Sequence, residues 1–292
     1  MSAKLAAALA FVLLPLMSVS SRAAKIGDEH LFAFTIGTDT GEVGDKEIEG
    51  QTDGRFGKRD GSYTALSQAL SAEFNPVQNF RMEMTGTSIY HDISGVNGLD
   101  DRRRGGWQAL SLDLRYRLLD REHAGAGLLI DAETRWARID EITGGPIDQY
   151  GVDLAVAIDK ELIPNRIIAA FNALYSPDVS RSRETGITLH ESTLGFSTAL
   201  MCQVRPGIFL GGEARYFRKY AGLGLDTFSG NAFFLGPTIY ANLSQRSWIA
   251  VGWSVQVAGK SADQPGRLDL LNFERQQVRL RWASHFNHAA AA

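Results

Sequence analysis

Charged residues alternate with apolar ones in the stretch QALSLDLRYRLLD, residues 108–120. Asp113, Arg115 and Arg117 are separated from one another by a single leucine or tyrosine. Because a β-strand points successive side chains to opposite faces, this pattern predicts a strand with one charged and one apolar face. A face that carries both signs of charge could sort solutes by charge, or it could consist of cross-strand ion pairs that rigidify the structure. The sequence leaves these two interpretations open.

The same alternation continues through much of the chain and predicts one common charged face. Stretches such as KEIEGQTDGRF and QQVRLRWASHF place acidic or basic residues at alternate positions. If the strands form one sheet, these side chains line one surface. The residues predicted to line it are Glu47, Glu49, Asp53, Arg55, Arg81, Glu83, Asp113, Arg115, Arg117, Asp131, Glu133, Arg135, Asp153, Glu213, Arg215, Arg279 and Arg281.

His190 and Ser192, in the stretch LHEST, are the pair that most resembles catalytic machinery. They share one face of a predicted strand, but a serine nucleophile also needs a third group that orients its base. No asparagine that could take this role occurs on the same predicted strand or on the next one. We therefore predict no enzyme and no catalytic residue, with a lipid hydrolase that uses His190 and Ser192 as a minor alternative.

Charge and cysteine content argue against several other functions. The formal net charge is −3, and no basic run exceeds Arg102–Arg104, so we predict no nucleic-acid partner. The six histidines lack ligand spacing, and Cys202 is the one cysteine. The sequence therefore predicts no metal site, no cofactor and no intrachain disulfide.

The first 23 residues have the layout of a cleavable secretory signal. Lys4 precedes an apolar run from Leu5 to Met17, and small residues follow, with Ser21 and Ala23 suited to a cleavage site. A membrane anchor is the alternative, but the run is shorter than the roughly 20 residues that a spanning helix needs. We predict a signal peptide at 1–23 and export of the rest of the chain.

Twelve strand-like segments follow the signal, and no segment has sustained helical periodicity. Most are longer than the typical strand of about 5 to 6 residues in soluble proteins. Short and long connections alternate between them, as in outer-membrane barrels. The segments lie near residues 46–57, 63–75, 80–91, 107–119, 125–138, 149–161, 166–176, 189–203, 207–219, 231–243, 247–258 and 274–286.

These features predict an all-β fold, a single transmembrane up-and-down antiparallel β-barrel of about twelve strands at residues 46–286. Twelve strands return the chain to the side on which it started, as a barrel of even strand number requires. The stretch LFAFTIG, residues 31–37, would make a thirteenth strand, and fourteen strands is the competing count. We therefore predict that residues 24–45 form a periplasmic or lumen-tucked segment, and that 287–292 form a tail.

In a barrel, the apolar face contacts lipid and the charged face lines the lumen. We predict lipid contact for Leu110, Leu112, Leu114, Val152, Leu154, Val156 and Leu280. Aromatic residues near strand ends are typical of the membrane interface. Those predicted at the interface are Trp136, Tyr150, Tyr175, Tyr216, Tyr220 and Trp282.

The chain resembles Gram-negative outer-membrane β-barrel proteins. The resemblance rests on the signal-like start, the alternating strands and the last strand, VRLRWASHF, with its near-terminal aromatic residue. The stretches GKRDGSYTALSQALSAEFN and SLDLRYRLLD are similar to uncharacterised porin-like or transporter-like barrels of proteobacteria. The resemblance implies the bacterial outer membrane as location, and outer-membrane lipid, lipopolysaccharide and the barrel assembly machinery as partners. Arg102–Arg104 could pair with lipopolysaccharide phosphates or could simply be solvated.

Our leading hypothesis is a passive channel or transporter for small hydrophilic solutes through the mixed-charge lumen. The alternative is a non-conducting structural or adhesive barrel that acts through long extracellular loops. The two hypotheses differ in whether the lumen is open, which the sequence leaves undecided.

Overall fold

Twelve antiparallel strands form a closed barrel in the computed structural model, which describes residues 30–286. Each strand pairs with its neighbours in sequence, and β1 closes the barrel against β12. The predicted fold class and strand number are confirmed. The predicted signal peptide and the tail at 287–292 lie outside the described residues. The strands are β1 Lys46–Phe56, β2 Ser62–Val77, β3 Phe80–Ser94, β4 Arg102–Leu119, β5 Gly127–Ile139, β6 Pro146–Ile163, β7 Ile167–Ser182, β8 Thr188–Arg205, β9 Ile208–Ala221, β10 Thr227–Asn242, β11 Ser247–Ser261 and β12 Gln276–His285.

The two ends of the barrel differ in their connections. At the terminal end, where β1 begins and β12 ends, the turns are tight: residues 78–79 join β2 to β3, and residues 206–207 join β8 to β9. Asn79 and Gly207 adopt positive φ angles of 64° and 74°, a region that asparagine and glycine tolerate better than other residues. At the opposite, loop end, the connection at 262–275 is the longest.

Most loop-end connections are shorter than the sequence predicts, because the strands extend further. The predicted loop DISGVNGLDDRRRGG is reduced to residues 95–101, and Arg102–Arg104 belong to β4. There Arg103 is paired with Asp92 and Arg104 with His91 in the β3–β4 register. Hydrogen bonding between the strands continues into a region where charged side chains on the outer face remain exposed.

One short helix, α1 Arg121–Ala124, lies in the terminal-end turn between β4 and β5. The Asp120 side chain caps its first turn by accepting a hydrogen bond from the Glu122 backbone N–H at 2.9 Å. Gly125 ends the helix with φ 77°. The sequence predicts only a turn here. No helix within residues 30–286 is long and apolar enough to cross a membrane.

Strand register places the two kinds of side chain on opposite faces. Leu110, which is 42% exposed, is paired with Trp136 on the outer face, whereas their neighbours Ser111 and Arg135 are paired on the inner face. All the residues predicted to contact lipid or the membrane interface occupy outer positions of this alternation. Tyr150 is the most exposed of them, at 64%. Their depth in a membrane stays a prediction.

Residues 30–40, which we call the inner segment, run inside the barrel instead of adding a strand. Leu31 and Phe32 are buried in an apolar cluster with Phe209, Trp248 and other residues of β7–β12 near the terminal end. Gly252 leaves room for this packing, since a Cβ atom there would lie 2.6 Å from the Ala33 Cβ. The inner segment therefore fills the lumen on the β7–β12 side.

Candidate functional site: a charged chamber in the lumen

A polar chamber of about 370 Å³ lies in the lumen between the inner segment and the inner faces of β1–β7 and β12. Nine carboxylates and six guanidinium groups line it, which is a formal excess of three negative charges. They belong to Asp39, Glu49, Asp53, Glu83, Asp113, Asp131, Glu133, Glu141 and Asp153, and to Arg55, Arg81, Arg115, Arg135, Arg279 and Arg281.

Four of the residues predicted to line the lumen point inward but are covered by the inner segment. Glu47 contacts His30, and Arg117 contacts Asp39, whose Oδ1 lies 3.4 Å from Arg117 Nη1. Glu213 accepts backbone hydrogen bonds, as described below. Arg215 stacks on the Phe34 ring with its Cζ 3.8 Å from the ring centroid. The other thirteen line the chamber itself.

Six carboxylates form one continuous row across β1–β6. The register pairs each member directly with the next, from Glu47 at one end to Asp153 at the other. Like charges on directly opposed residues destabilise a sheet, so this row needs compensating positive charge. Its members are Glu47, Glu73, Glu83, Asp113, Glu133 and Asp153.

Two arginines, Arg81, which is buried, and Arg115, which is partly buried, supply much of that compensation. Arg81 contacts Glu73 at 3.3 Å and Glu83 at 3.0 Å. Arg115 lies 2.6 Å from Asp113 and 3.4 Å from Asp131. The lumen therefore contains cross-strand ion pairs, which the rigidifying interpretation predicts. It also contains charged side chains around a free space, which the solute-sorting interpretation predicts.

The middle of the inner segment is held by a single carboxylate on β9. Glu213 is 2% exposed and accepts hydrogen bonds from the backbone N–H groups of Ala33 at 2.8 Å, Phe34 at 3.0 Å and Thr35 at 2.6 Å. The Thr238 hydroxyl donates to the same carboxylate at 2.6 Å. Hydrogen bonds to a charged acceptor are the strong ones, so Glu213 is the principal anchor of the segment.

Two further side chains hold the rest of the segment. Asn172 accepts from the Ile36 N–H at 2.7 Å and donates to the Ile36 carbonyl at 2.9 Å, which satisfies both backbone groups of that residue. Asp159 accepts from the backbone N–H and the hydroxyl of Thr38, each at 2.8 Å. Sequence analysis missed both residues, although each occupies an inward position in its strand and could have been found by extending the alternation.

Arg121 of α1 joins these contacts at the terminal end. Its guanidinium lies 3.1 Å from Asp39 and 2.8 Å from Asp159. No periodic pattern identifies a turn residue of this kind, so the position of Arg121 could not be predicted. The inner segment is thus bound to β6, β7, β9 and α1.

Three loop-end connections lie at the opposite mouth of the chamber. The Lys58 ammonium donates to the carbonyls of Leu271 at 3.3 Å and Phe273 at 2.9 Å, and burial lowers its pKa to about 8. In the β5–β6 connection, burial alone would raise the pKa of Glu141, but the charge of the adjoining Arg55 lowers it to about 2. Glu141 is therefore ionised and remains paired at neutral pH.

The pair considered for catalysis does not form a catalytic arrangement. Ser192 is fully buried, and its hydroxyl donates to the Gly222 carbonyl at 2.7 Å. His190 is exposed, and no side-chain hydrogen bond joins it to Ser192 in the described part of the chain. The hydroxyl proton of Ser192 is thus directed to a main-chain acceptor and not to a base.

The fold is that of bacterial outer-membrane β-barrels. The "COG4313 outer membrane channel from Pseudomonas putida F1" superimposes with a TM-score of 0.62 at 13% identity, over 85% of this chain and 98% of that one. The NanC porin gives a TM-score of 0.49 at 9% identity over 81% and 98% of the two chains. The translocator domain of the autotransporter NalP from Neisseria meningitidis gives 0.49 at 13% identity over 84% and 90%. At these identities the likeness extends to the fold alone.

Sequence comparison adds one match. A profile described as "Family of unknown function (DUF6662)" matches residues 24–286. No curated protein matches the chain.

Proposed function

The chain belongs to the DUF6662 family, a family of unknown function, and we propose that it is an outer-membrane channel that passes small hydrophilic solutes through its charged lumen. The chamber carries the proposal. A purely structural barrel of this size could fill its lumen with packed side chains, as small barrels do. Here nine carboxylates and six guanidinium groups instead surround a space of about 370 Å³.

The proposal includes a closed and an open state. With the inner segment in the lumen, the route along β7–β12 is filled by Leu31, Phe32 and their apolar neighbours. Solutes would pass through the chamber when the segment moves away from Glu213 and widens the lumen. The described arrangement is the closed state in this account.

Location and partners follow from the same proposal. Apolar outer positions such as Leu154 and Val156 would contact lipid, and the terminal end would face the periplasm, where barrels of even strand number leave both termini. The barrel assembly machinery would insert the chain. Arg103, whose side chain is 80% exposed at the loop end, would pair with lipopolysaccharide phosphates in this proposal.

We expect the channel to prefer cations, because the chamber lining has a formal excess of negative charge. Glu133 lies in the middle of the carboxylate row, between Asp113 and Asp153. Replacing it by glutamine should weaken the attraction for a passing cation by about 1 kcal/mol, or about fivefold in the cation-to-anion permeability ratio. Reversal potentials in planar bilayers under a salt gradient measure that ratio.

The control for this experiment is Glu122→Gln, which removes an exposed carboxylate of α1 outside the chamber. We expect the permeability ratio of that variant to equal that of the native protein. An anion preference in the native protein, or equal ratios for all three proteins, would contradict the proposed route through the chamber.

The second candidate is a non-conducting barrel, and the anchoring of the inner segment favours it. The inner segment is held by hydrogen bonds to Glu213, Asn172 and Asp159. A loosely attached plug would need fewer such bonds. Interaction through long external loops is less well supported, since only the connection at 262–275 is long. Bilayers that stay silent with the native protein and with a variant lacking the Glu213 anchor would favour this candidate.

A further inference from the structure

Three residues with metal-binding side chains meet where the inner segment enters the barrel. His30 comes from the segment, Glu47 from β1 and Glu73 from β2, and all three are buried. This group could not be predicted from the sequence, because its members do not have ligand spacing along the chain. The register of β1 and β2 brings Glu47 and Glu73 together, and the inner segment adds His30.

The spacing of the candidate ligand atoms suits one small cation. His30 Nε2 lies 3.2 Å from Glu47 Oε1 and 3.8 Å from Glu73 Oε2, and the three ligand atoms all lie within 4.8 Å of one another. Zinc ligands lie about 2.0–2.2 Å from the metal, which in a tetrahedron separates neighbouring ligand atoms by roughly 3.3 Å. Small side-chain adjustments would therefore bring all three atoms into contact with one ion.

Two of these atoms face each other without making a hydrogen bond. His30 Nε2 and Glu47 Oε1 are both fully buried, on side chains that are 3% and 2% exposed, and neither has a hydrogen-bond partner among the described residues. Buried polar atoms are nearly always hydrogen-bonded, so two buried atoms that contact each other without hydrogen-bond geometry are candidates to share one bound ion.

The charges around the group also favour a cation. Glu47, Glu49 and Glu73 bring three negative charges into the buried region around His30. Arg81 contacts Glu73 at 3.3 Å, and Arg281 contacts Glu49 at 2.6 Å, so two positive charges oppose them. These five groups leave one negative charge, which a bound cation would balance.

The His30 ring is held in a fixed orientation. It stacks on Trp248 with a centroid distance of 4.8 Å and an interplanar angle of 15°. Arg281 Nη2 lies 2.9 Å from Nδ1, which places the ring hydrogen of a neutral imidazole on Nε2 when no metal is bound. A metal ion at Nε2 must displace that proton, after which a protonated Nδ1 would face Glu49 Oε2, now 3.6 Å away. A carboxylate in this place is the usual second partner of a metal-bound histidine.

We propose that His30, Glu47 and Glu73 form a binding site for a divalent cation of the zinc type, and that the ion fixes the start of the inner segment to β1 and β2. Nitrogen and carboxylate oxygen ligands together suit Zn²⁺ better than Mg²⁺ or Ca²⁺, which take oxygen ligands. The site does not depend on whether the barrel conducts.

Zinc binding to the full protein in detergent tests the proposal directly. After removal of metals with a chelator, isothermal titration with Zn²⁺ alone should give saturable binding of one ion per chain. Titrations in buffers of different ionisation enthalpy should show little net release of protons, because the hydrogen displaced from Nε2 is replaced by one on Nδ1. Titration with Mg²⁺ should give no binding at the same concentrations.

Variants locate the site. His30→Ala and Glu47→Gln should each weaken zinc binding by about a hundredfold. The matched control is His123→Ala, which removes an exposed histidine of α1 and should bind zinc as the native protein does. Heat-modifiable gel migration verifies that each variant has formed its barrel. Lack of saturable zinc binding by the native protein, or native-like binding in the His30→Ala variant, would overturn the proposal.

Discussion

If the barrel is the proposed channel, replacing Glu213 by alanine is expected to shift it from mostly closed to mostly open. The carboxylate accepts the backbone N–H groups of three consecutive residues of the inner segment, at 2.8, 3.0 and 2.6 Å. Net contributions of hydrogen bonds to charged groups are about 1.5 to 3 kcal/mol each, so the anchor should stabilise the closed state by about 4 kcal/mol or more. That free energy corresponds to about a thousandfold change in the ratio of closed to open states.

Single-channel recording in planar bilayers measures this ratio as the open probability. Glu213→Gln retains an acceptor oxygen without the charge, so we expect an open probability between those of the native and alanine proteins. Asp178→Asn is the control, because Asp178 points inward from β7 and accepts a hydrogen bond from Gln149 at 2.8 Å instead of from the segment. An alanine variant that forms its barrel and yet opens no more often than the native protein would refute the role of Glu213 as an anchor.

Replacing Arg115 by methionine is expected to cause a large loss of stability. The guanidinium lies 2.6 Å from Asp113 and 3.4 Å from Asp131, and both carboxylates are largely shielded from solvent, with side chains 7% exposed. Methionine keeps much of the length of arginine but leaves these two charges without their shared partner. Removing one member of a buried ion pair typically costs about 3–5 kcal/mol.

Urea unfolding in lipid vesicles measures the free energy of unfolding of the native protein and of each variant. Arg104→Met is a matched control on the same strand, because Arg104 is exposed. We expect a change of less than about 0.5 kcal/mol for this surface substitution. Adding Asp113→Asn to the Arg115 variant should restore part of the lost stability, since it removes one of the two uncompensated charges. Equal stability of the Arg115 and Arg104 variants would mean that the lumen ion pairs do not hold the barrel together.

The strands, and the face of the sheet on which each side chain lies, could be predicted from the sequence. Both depend on a local period of two residues. A slip of one residue would send every charged side chain of a strand into lipid. The alternation around Leu112 and Asp113 therefore leaves little freedom in which face of the strand each side chain occupies. Strand ends were harder to predict. Arg102–Arg104 were predicted to lie in a loop because they are charged and are followed by glycines. In the structure they belong to a paired strand, because charged side chains are tolerated where water can reach the outer face.

The arrangement within the lumen could not be predicted, because it depends on how strands are aligned with each other. The carboxylate row exists only because the turns set Glu83 opposite Asp113 and Glu133 opposite Asp153. The inner segment is a second case. LFAFTIG reads as a strand, yet its N–H groups bond to side chains such as Glu213 and Asn172, which are far away in the sequence.

The most direct test of the account is whether current passes through the chamber. Thr87 lines the chamber from β3, and its neighbour Ser88 is exposed on the outer face. With Cys202 replaced by alanine, cysteine is introduced at either position, and a positively charged, membrane-impermeant thiol reagent is added during single-channel recording. We predict that the current steps of the Thr87→Cys protein fall after modification while those of the Ser88→Cys protein do not change. Current steps that persist unaltered in a fully modified Thr87→Cys protein would contradict the account.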